Sequence, residues 1–297
     1  MRRQIETSAL FELIFASALW GFGFIGTAWA LKEMSPLALT GSRMFLAAIA
    51  GFLICVSVPS LRKQLSFEQF KLAFWPGLFL CSTLFLQTWG LKYTTVTKSG
   101  FITTLYVLIV PLMERFLLGR KIPKYHMLYV FFALIGVALI CNLTEAESGL
   151  NFGDWLTLAC SVGASLQIVW FGKIQDRITN SFNFNVYQLF WTGLVPAVFM
   201  FIFDPPPTHL STWPLLGLFE LVFGSSLIAF ALQVRAQKKL SPSVSSLVFL
   251  LESPFAAVFG FLILEESLSN QTLIGAAIIL ASLVASVVFS NEGQNQA

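Results

Sequence analysis

The fold class that the sequence predicts is an all-α membrane protein of ten transmembrane helices, arranged as two inverted five-helix halves. Three observations predict it. Hydrophobic residues make up 56% of the 297 residues and charged residues 11%, more apolar surface than a soluble core needs. Apolar runs of about 20 residues, the length that crosses a bilayer as a helix, follow one another end to end. The stretch from Leu84 to Pro111 also returns as Ala229 to Pro254. In each copy an apolar run ends in Leu-Gln, at Gln87 and Gln233. A short basic connector follows, then a second apolar run with small hydroxyl residues, an aromatic (Tyr106, Phe249) and a proline (Pro111, Pro254). Aligning the prolines gives an offset of 143 and aligning the glutamines 146, so the three-residue difference is assigned to the connector. Units this long exceed solenoid repeats and match the duplicated halves of secondary transporters.

Ten segments carry the prediction. The first, 10–31, follows Met1-Arg2-Arg3 and holds the cluster Gly21, Gly23, Gly26; without a small-residue cleavage pattern leading to a soluble domain, it reads as a retained span. The second, 37–58, contains Arg43. The third, 72–91, ends at the first Leu-Gln, and the fourth, 99–118, carries Ser99, Thr103 and Tyr106 with Pro111 expected to bend it. The fifth is 126–143. Past the acidic connector Glu145 to Asp154, the sixth, 155–172, brings the small residues Ser161, Gly163, Ala164 and Ser165, suited to close backbone approach. The seventh, 184–203, is expected to bend at Pro196. The eighth, 214–234, ends at the second Leu-Gln, the ninth, 242–264, is expected to bend at Pro254, and the tenth is 272–290. Five segments on each side of the connector (10–143 and 150–290) make the second half enter the membrane from the opposite face.

Connector charges set the orientation, because Lys and Arg concentrate on the cytoplasmic side. With the N-terminus inside, fourteen Lys and Arg lie inside and three (Lys32, Lys92, Lys98) outside, with Arg43 left within a span. Both termini are therefore expected in the cytoplasm. The segments are too long and too unalternated for strands of an outer-membrane barrel. Cys55, Cys81, Cys141 and Cys160 all sit in apolar runs without metal-ligand or CxxC spacing, and His126 and His209 stand alone. No phosphate loop, zinc motif or nucleophile elbow occurs. The reading is of no enzyme, no catalytic residue, no cofactor, no metal and no nucleic-acid partner; the expected partners are the lipid bilayer and a small-molecule substrate.

Polar groups deep in the spans are the informative ones, because a charge at the bilayer centre costs about 2.5–3.5 kcal/mol even on the lenient insertion scale. Glu252 lies halfway along the ninth segment, and Ser245, Phe249 and Glu252 share a helix face at i, i+4, i+7. Ser99, Thr103 and Tyr106 repeat that spacing in the fourth segment, as do Gly163, Gln167 and Trp170 in the sixth. Gln87, Gln188 and Gln233 complete the set. Converging, these faces make a cavity walled by aromatics with amide, hydroxyl and carboxylate groups pointing inward. Glu252 there suits either a substrate amine or a proton, the proton-coupling role, unless it only braces the bend at Pro254. Arg43 reads as a site residue or as an anchor that snorkels to the interface, Glu220 as an interfacial or cavity-rim group, and the glutamines as site residues or interhelical hydrogen bonds.

The stretches LWGFGF (19–24), SRMFLAA (42–48), GLKYTTVTKSGFITTLYVLIVPL (90–112) and Ala231 to Val284 together resemble the drug/metabolite transporter superfamily, specifically its ten-helix permeases with two EamA-type repeats. The resemblance implies a bacterial inner-membrane carrier with a central cavity between inverted repeats, moving amino acids, other metabolites or toxic compounds, commonly outward. By position it implies that Arg43, Gln87, Tyr106, Gln233 and Glu252 lie in or near that cavity. Ala164 stands where relatives often have tryptophan, and Gly119-Arg120-Lys121 replaces a Gly-Glu-Arg. Rival readings are a non-transporting scaffold or lipid-processing partner and, within transport, a nucleotide-sugar or sugar-phosphate exchanger. The exchanger calls for several cavity cations to meet phosphates, where only Arg43 is available.

Overall fold

A computed structural model describes residues 2–119, 126–140, 149–240 and 242–294. Arg120, Lys121, Lys124, Cys141, Glu145 and Glu147 lie outside the described residues. Within them the chain is helical, with no strand. The helices are α1 (Arg2–Ala30), α2 (Pro36–Ser57), α3 (Pro59–Arg62), α4 (Phe67–Leu72), α5 (Phe74–Leu91), α6 (Val96–Thr103), α7 (Tyr106–Leu118), α8 (His126–Ile140) and α9 (Phe152–Ile174). After a 3₁₀ turn, Gln175–Arg177, come α10 (Ser181–Phe203), α11 (Thr212–Glu220), a π-helical segment (Leu221–Ala229), α12 (Phe230–Gln237), α13 (Pro242–Phe249), α14 (Glu252–Leu264) and α15 (Asn270–Gln294). Within the described residues each of the ten predicted segments falls mainly on helix, and 141–143 of the fifth lie outside them. Six helical stretches among the described residues are long and apolar enough to cross a membrane, and Phe131–Ile140, Glu252–Leu264 and Asn270–Ser282 are shorter apolar helices.

Local sequence sets the helix boundaries. Ser35, Ser66, Thr95 and Asn180 cap α2, α4, α6 and α10 by accepting from first-turn amides, and Asn151 with Asp154 forms a reciprocal capping box on α9. Such caps satisfy amides that a helix start leaves unpaired. At α6, Glu266 adds a carboxylate from the far end of the chain. It accepts from the backbone N–H of Val96 (2.7 Å) and Thr97 (3.0 Å) and from the Thr97 hydroxyl (2.7 Å).

The most extensive packing joins α2 to α10, α5 to α9 and α8 to α15, while α1 lies against α11, the π segment, α12 and α14. Small residues permit the closest approaches: a Cβ on Gly217 would stand 2.3 Å from the Gly26 carbonyl oxygen, so α1 and α11 meet backbone to backbone. Large apolar side chains such as Phe52, Phe199, Phe201 and Phe203 point outward, each about half exposed or more.

The fourth and ninth predicted segments are both broken, and the breaks fix the register between the halves. α6 stops at Thr103 and α7 starts at Tyr106; α13 stops at Phe249 and α14 starts at Glu252. Each break tightens to i→i−3 bonds, at Leu105 and Val107 in one and at Leu251 and Ser253 in the other. Both continuations end on a left-handed residue, Gly119 (φ 68°) and Glu265 (φ 56°). Every pair is 146 apart, as are the glutamines. The alignment through the prolines is therefore corrected. Tyr106 corresponds to Glu252, and Phe249 to Thr103. Pro254 sits in the first turn of α14, where a missing N–H is no loss, whereas Pro111 lies deeper in α7. Pro196 stays within the unbroken α10.

Candidate functional site: a central polar cavity

The two helix breaks face each other across the middle of the molecule. Thr103 and Tyr106 come from one, Phe249 and Glu252 from the other, and with Arg43, Gln87, Gln167 and Gln233 they line a cavity of about 70 Å³. Eight of the ten predicted site residues thus converge. Arg43 is 5% exposed and Glu252 8%, which removes the snorkelling reading for Arg43. Its Nε donates to the Ser226 hydroxyl at 2.9 Å, and it lies within electrostatic reach of both Glu220 and Glu252. No ion pair joins it to either carboxylate. The Arg43 guanidinium and the Glu252 carboxyl therefore line one small space without a direct ion pair between them.

The amides form a chain. Gln233 Nε2 donates to Gln167 Oε1 at 3.1 Å, and Gln167 Nε2 to Gln188 Oε1 at 3.4 Å. Gln188 is fully buried but stands behind Gln167 and does not line the cavity. Its position orients the lining amide, a correction to its predicted role. Gln87 Nε2 donates to the Thr103 hydroxyl at 3.2 Å. The Tyr106 hydroxyl and Gln233 Oε1 are buried with no hydrogen-bond partner. Buried polar groups ordinarily find partners, so these two leave hydrogen-bonding capacity aimed at whatever enters.

Trp170 is the second correction. It shares a helix face with Gln167 only approximately, and its ring turns away to pack on Trp75 and Phe79, with centroids 5.9 Å from each. The aromatic wall is Trp20 instead, with Phe230 at 5.1 Å and Phe249 at 5.2 Å between ring centroids.

Sequence reasoning also missed the π segment. A π turn leaves carbonyls out of the regular ladder, and such turns recur at functional sites. Here the carbonyls are met across helices: Trp20 Nε1 donates to Ser225 O at 3.1 Å, and Asn185 Nδ2 to Ser226 O and Leu227 O at 3.2 Å each. The Ser226 hydroxyl donates to Leu221 O and accepts from Arg43. The winding therefore positions the cavity cation. Glu220, half-buried where α11 meets this segment, accepts from the Ser225 hydroxyl at 2.8 Å. The available signals were Gly224-Ser225-Ser226 interrupting an apolar run and Asn185 within a span. No group of three potential metal ligands occurs among the described residues.

A fold repeated at one register, with a polar cavity between the copies, has a match among known families. The EamA-like transporter family matches residues 7–142 and, a second time, 151–288. The chain belongs to this family. As an EamA-like protein it is a membrane transporter, not an enzyme. It is similar to an uncharacterized transporter of Archaeoglobus fulgidus, 28% identical over 92% of this chain and 83% of the relative. YoaV of Bacillus subtilis, an uncharacterized transporter, is 22% identical over 91% and 94%. A probable amino-acid metabolite efflux pump of Escherichia coli is 22% identical over 91% of each. One crystal structure shares the EamA-like fold with a TM-score of 0.70 and 17% identity, over 96% of this chain and 98% of its own.

Proposed function

We propose that the protein is a secondary transporter of the bacterial inner membrane that moves a small zwitterionic metabolite, an amino acid or close relative, outward. Ten spans in two inverted repeats (10–143 and 150–290), with both termini cytoplasmic, rock about the cavity to give alternating access. The observation that carries the substrate class is the shared lining of Arg43 and Glu252 without an ion pair between them: Arg43 meets a carboxylate, the Glu252 carboxyl gives up its proton to meet an ammonium, and the Tyr106 hydroxyl and Gln233 Oε1 add hydrogen bonds. A single cavity cation suits one carboxylate and argues against phosphate-rich exchange substrates. The similarity to the E. coli protein named as a probable amino-acid metabolite efflux pump supports the same class and direction. A scaffold has no use for broken helices that aim polar groups at a shared space.

A cavity of about 70 Å³ is well below the roughly 300–1,000 Å³ of ligand pockets. On this reading substrate entry requires the halves to part. In the proposed cycle Glu252 exchanges a proton for the substrate ammonium, which couples export to the proton gradient. The test is uptake of a pooled set of labelled amino acids into proteoliposomes, with and without a pH gradient, for wild type and Glu252→Gln. Gradient-driven movement that falls at least tenfold in the variant is the expected result. Equal movement in both removes the coupling role, and no movement of any amino acid overturns the substrate class.

A further inference from the structure

The tryptophan that turns away from the cavity lines a different site. At the end of the molecule formed by α4, the start of α5 and the close of α9, a cleft of about 480 Å³ is walled by Trp75 and Trp170 and rimmed by Lys71, Lys173, Arg177 and Glu68. Three cations against one carboxylate leave it net positive. Glu68 meets Arg177 at 3.7 Å, with both side chains well exposed, 77% and 62%, a geometry that holds little energy. Neither lysine has a carboxylate within ion-pair distance among the described residues. Each lies instead over a ring: Lys173 Nζ is 4.8 Å from the Trp170 centroid and Lys71 Nζ 4.6 Å from that of Phe67. The rings fix where these ammonium groups stand and leave their charge uncompensated.

The position says what meets them. The membrane-length stretch containing α9 ends at Arg177, so the cations stand where a span leaves the bilayer, the level at which tryptophan also concentrates. From the cleft an exposed apolar strip, Phe74, Trp75 and Leu78, continues along α5 towards the membrane interior. A ligand matching both parts has an anionic phosphate head and hydrocarbon tails. We infer that this cleft binds the headgroup of an anionic phospholipid from the adjoining leaflet, with Lys71, Lys173 and Arg177 on the phosphate and the acyl chains along Trp75. Basic pockets between membrane helices recognise such heads through charge. The site is separate from the cavity and independent of the transport reading.

The two tryptophans make it measurable. The protein is reconstituted in phosphatidylcholine vesicles carrying an equal mole fraction of either brominated phosphatidylglycerol or brominated phosphatidylcholine. The part of the fluorescence quenching lost in Trp75→Phe/Trp170→Phe reports the cleft. That part is expected to favour the anionic lipid tenfold or more, at about fivefold per cation engaged. The preference is expected to disappear in Lys71→Gln/Lys173→Gln/Arg177→Gln and to survive in Lys71→Arg/Lys173→Arg, which keeps the charge and shows that the fold is intact. Equal quenching by both lipids, or a preference unchanged in the charge-removing variant, overturns the proposal. So does a preference abolished by millimolar glycerol phosphate, which assigns the cleft to a soluble phosphate.

Discussion

Asn185 shows how far a single side chain reaches here. Its amide holds two carbonyls of the π segment, whose Ser226 in turn holds Arg43. Asn185→Ala leaves both carbonyls without that donor in a buried place, and each unsatisfied group costs about 1–3 kcal/mol. The variant is expected to unfold at a lower temperature in detergent, and its transport to weaken because Arg43 loses its support. A normal melting temperature would sink the idea. The one-dimensional pattern marks Asn185 only as an amide within a span and says nothing of the carbonyls it holds on another helix. Glu252 and Arg43, by contrast, were legible because a charge within an apolar run has few reasons to exist. Trp170 was misread because helical spacing fixes the side of a helix to within a fraction of a turn, and the neighbours decide where a ring that large turns.

Among the elements, α6 depends on a residue that follows Thr97 by 169 positions. Glu266 closes its first turn with three hydrogen bonds, and charge-assisted bonds of this kind are the stronger ones. Glu266→Gln is expected to cost about 1–2 kcal/mol and to speed hydrogen exchange at Val96 and Thr97 without changing exchange in α10. Uniform exchange rates across both helices would show the clamp to be idle. A second tether at a loop is pH-sensitive. Glu33 accepts from the Ser211 hydroxyl at 2.5 Å and from its backbone N–H at 2.9 Å, and these bonds hold its carboxyl below the usual carboxylate range. A lowered value means that the tether is complete at neutral pH and is lost only as pH falls past the ordinary carboxylate range towards the lowered one. The Ser211 amide should exchange slowly at pH 7 and faster in that acid window; a pH-independent protection, after correction for intrinsic rates, contradicts this. The helical, membrane-spanning character of the chain was legible because an apolar run of bilayer length is rarely anything but a membrane helix, and six stretches of that length occur among the described residues. The two breaks and the π segment were not, because they arise from tertiary contacts at the centre and leave the local composition as apolar as before.

At the scale of the whole molecule, the cavity lies where the paired breaks meet, and the proposed rocking of the halves would govern water access to it. Cysteines introduced as Thr103→Cys and Phe249→Cys, at equivalent places in the two halves, are expected to react with a water-soluble maleimide and to be protected by substrate. The native Cys55 and Cys160 are fully buried, and Cys81, which is partly exposed, and Cys141 are replaced by serine beforehand. Protection of both introduced cysteines under every condition would return the packed-scaffold reading. The repeat was visible in the sequence through its glutamines, but its register was not: prolines are tolerated at several depths of a membrane helix, and the left-handed caps at Gly119 and Glu265, which settle the spacing, carry no common residue type.

The π winding has no twin. Its counterpart 146 positions earlier falls within α5, which is regular helix. In the proposed cycle, two identical inverted halves exchanging conformations would make the inward-open and outward-open forms equivalent by a two-fold rotation and equal in free energy, each occupied half the time. Here one half carries an under-wound helix that the other lacks, and that degeneracy is lifted. On the proposed alternating-access cycle, a carrier with no solute bound and no gradient applied would then have a preferred side to rest on, as a one-sided latch does.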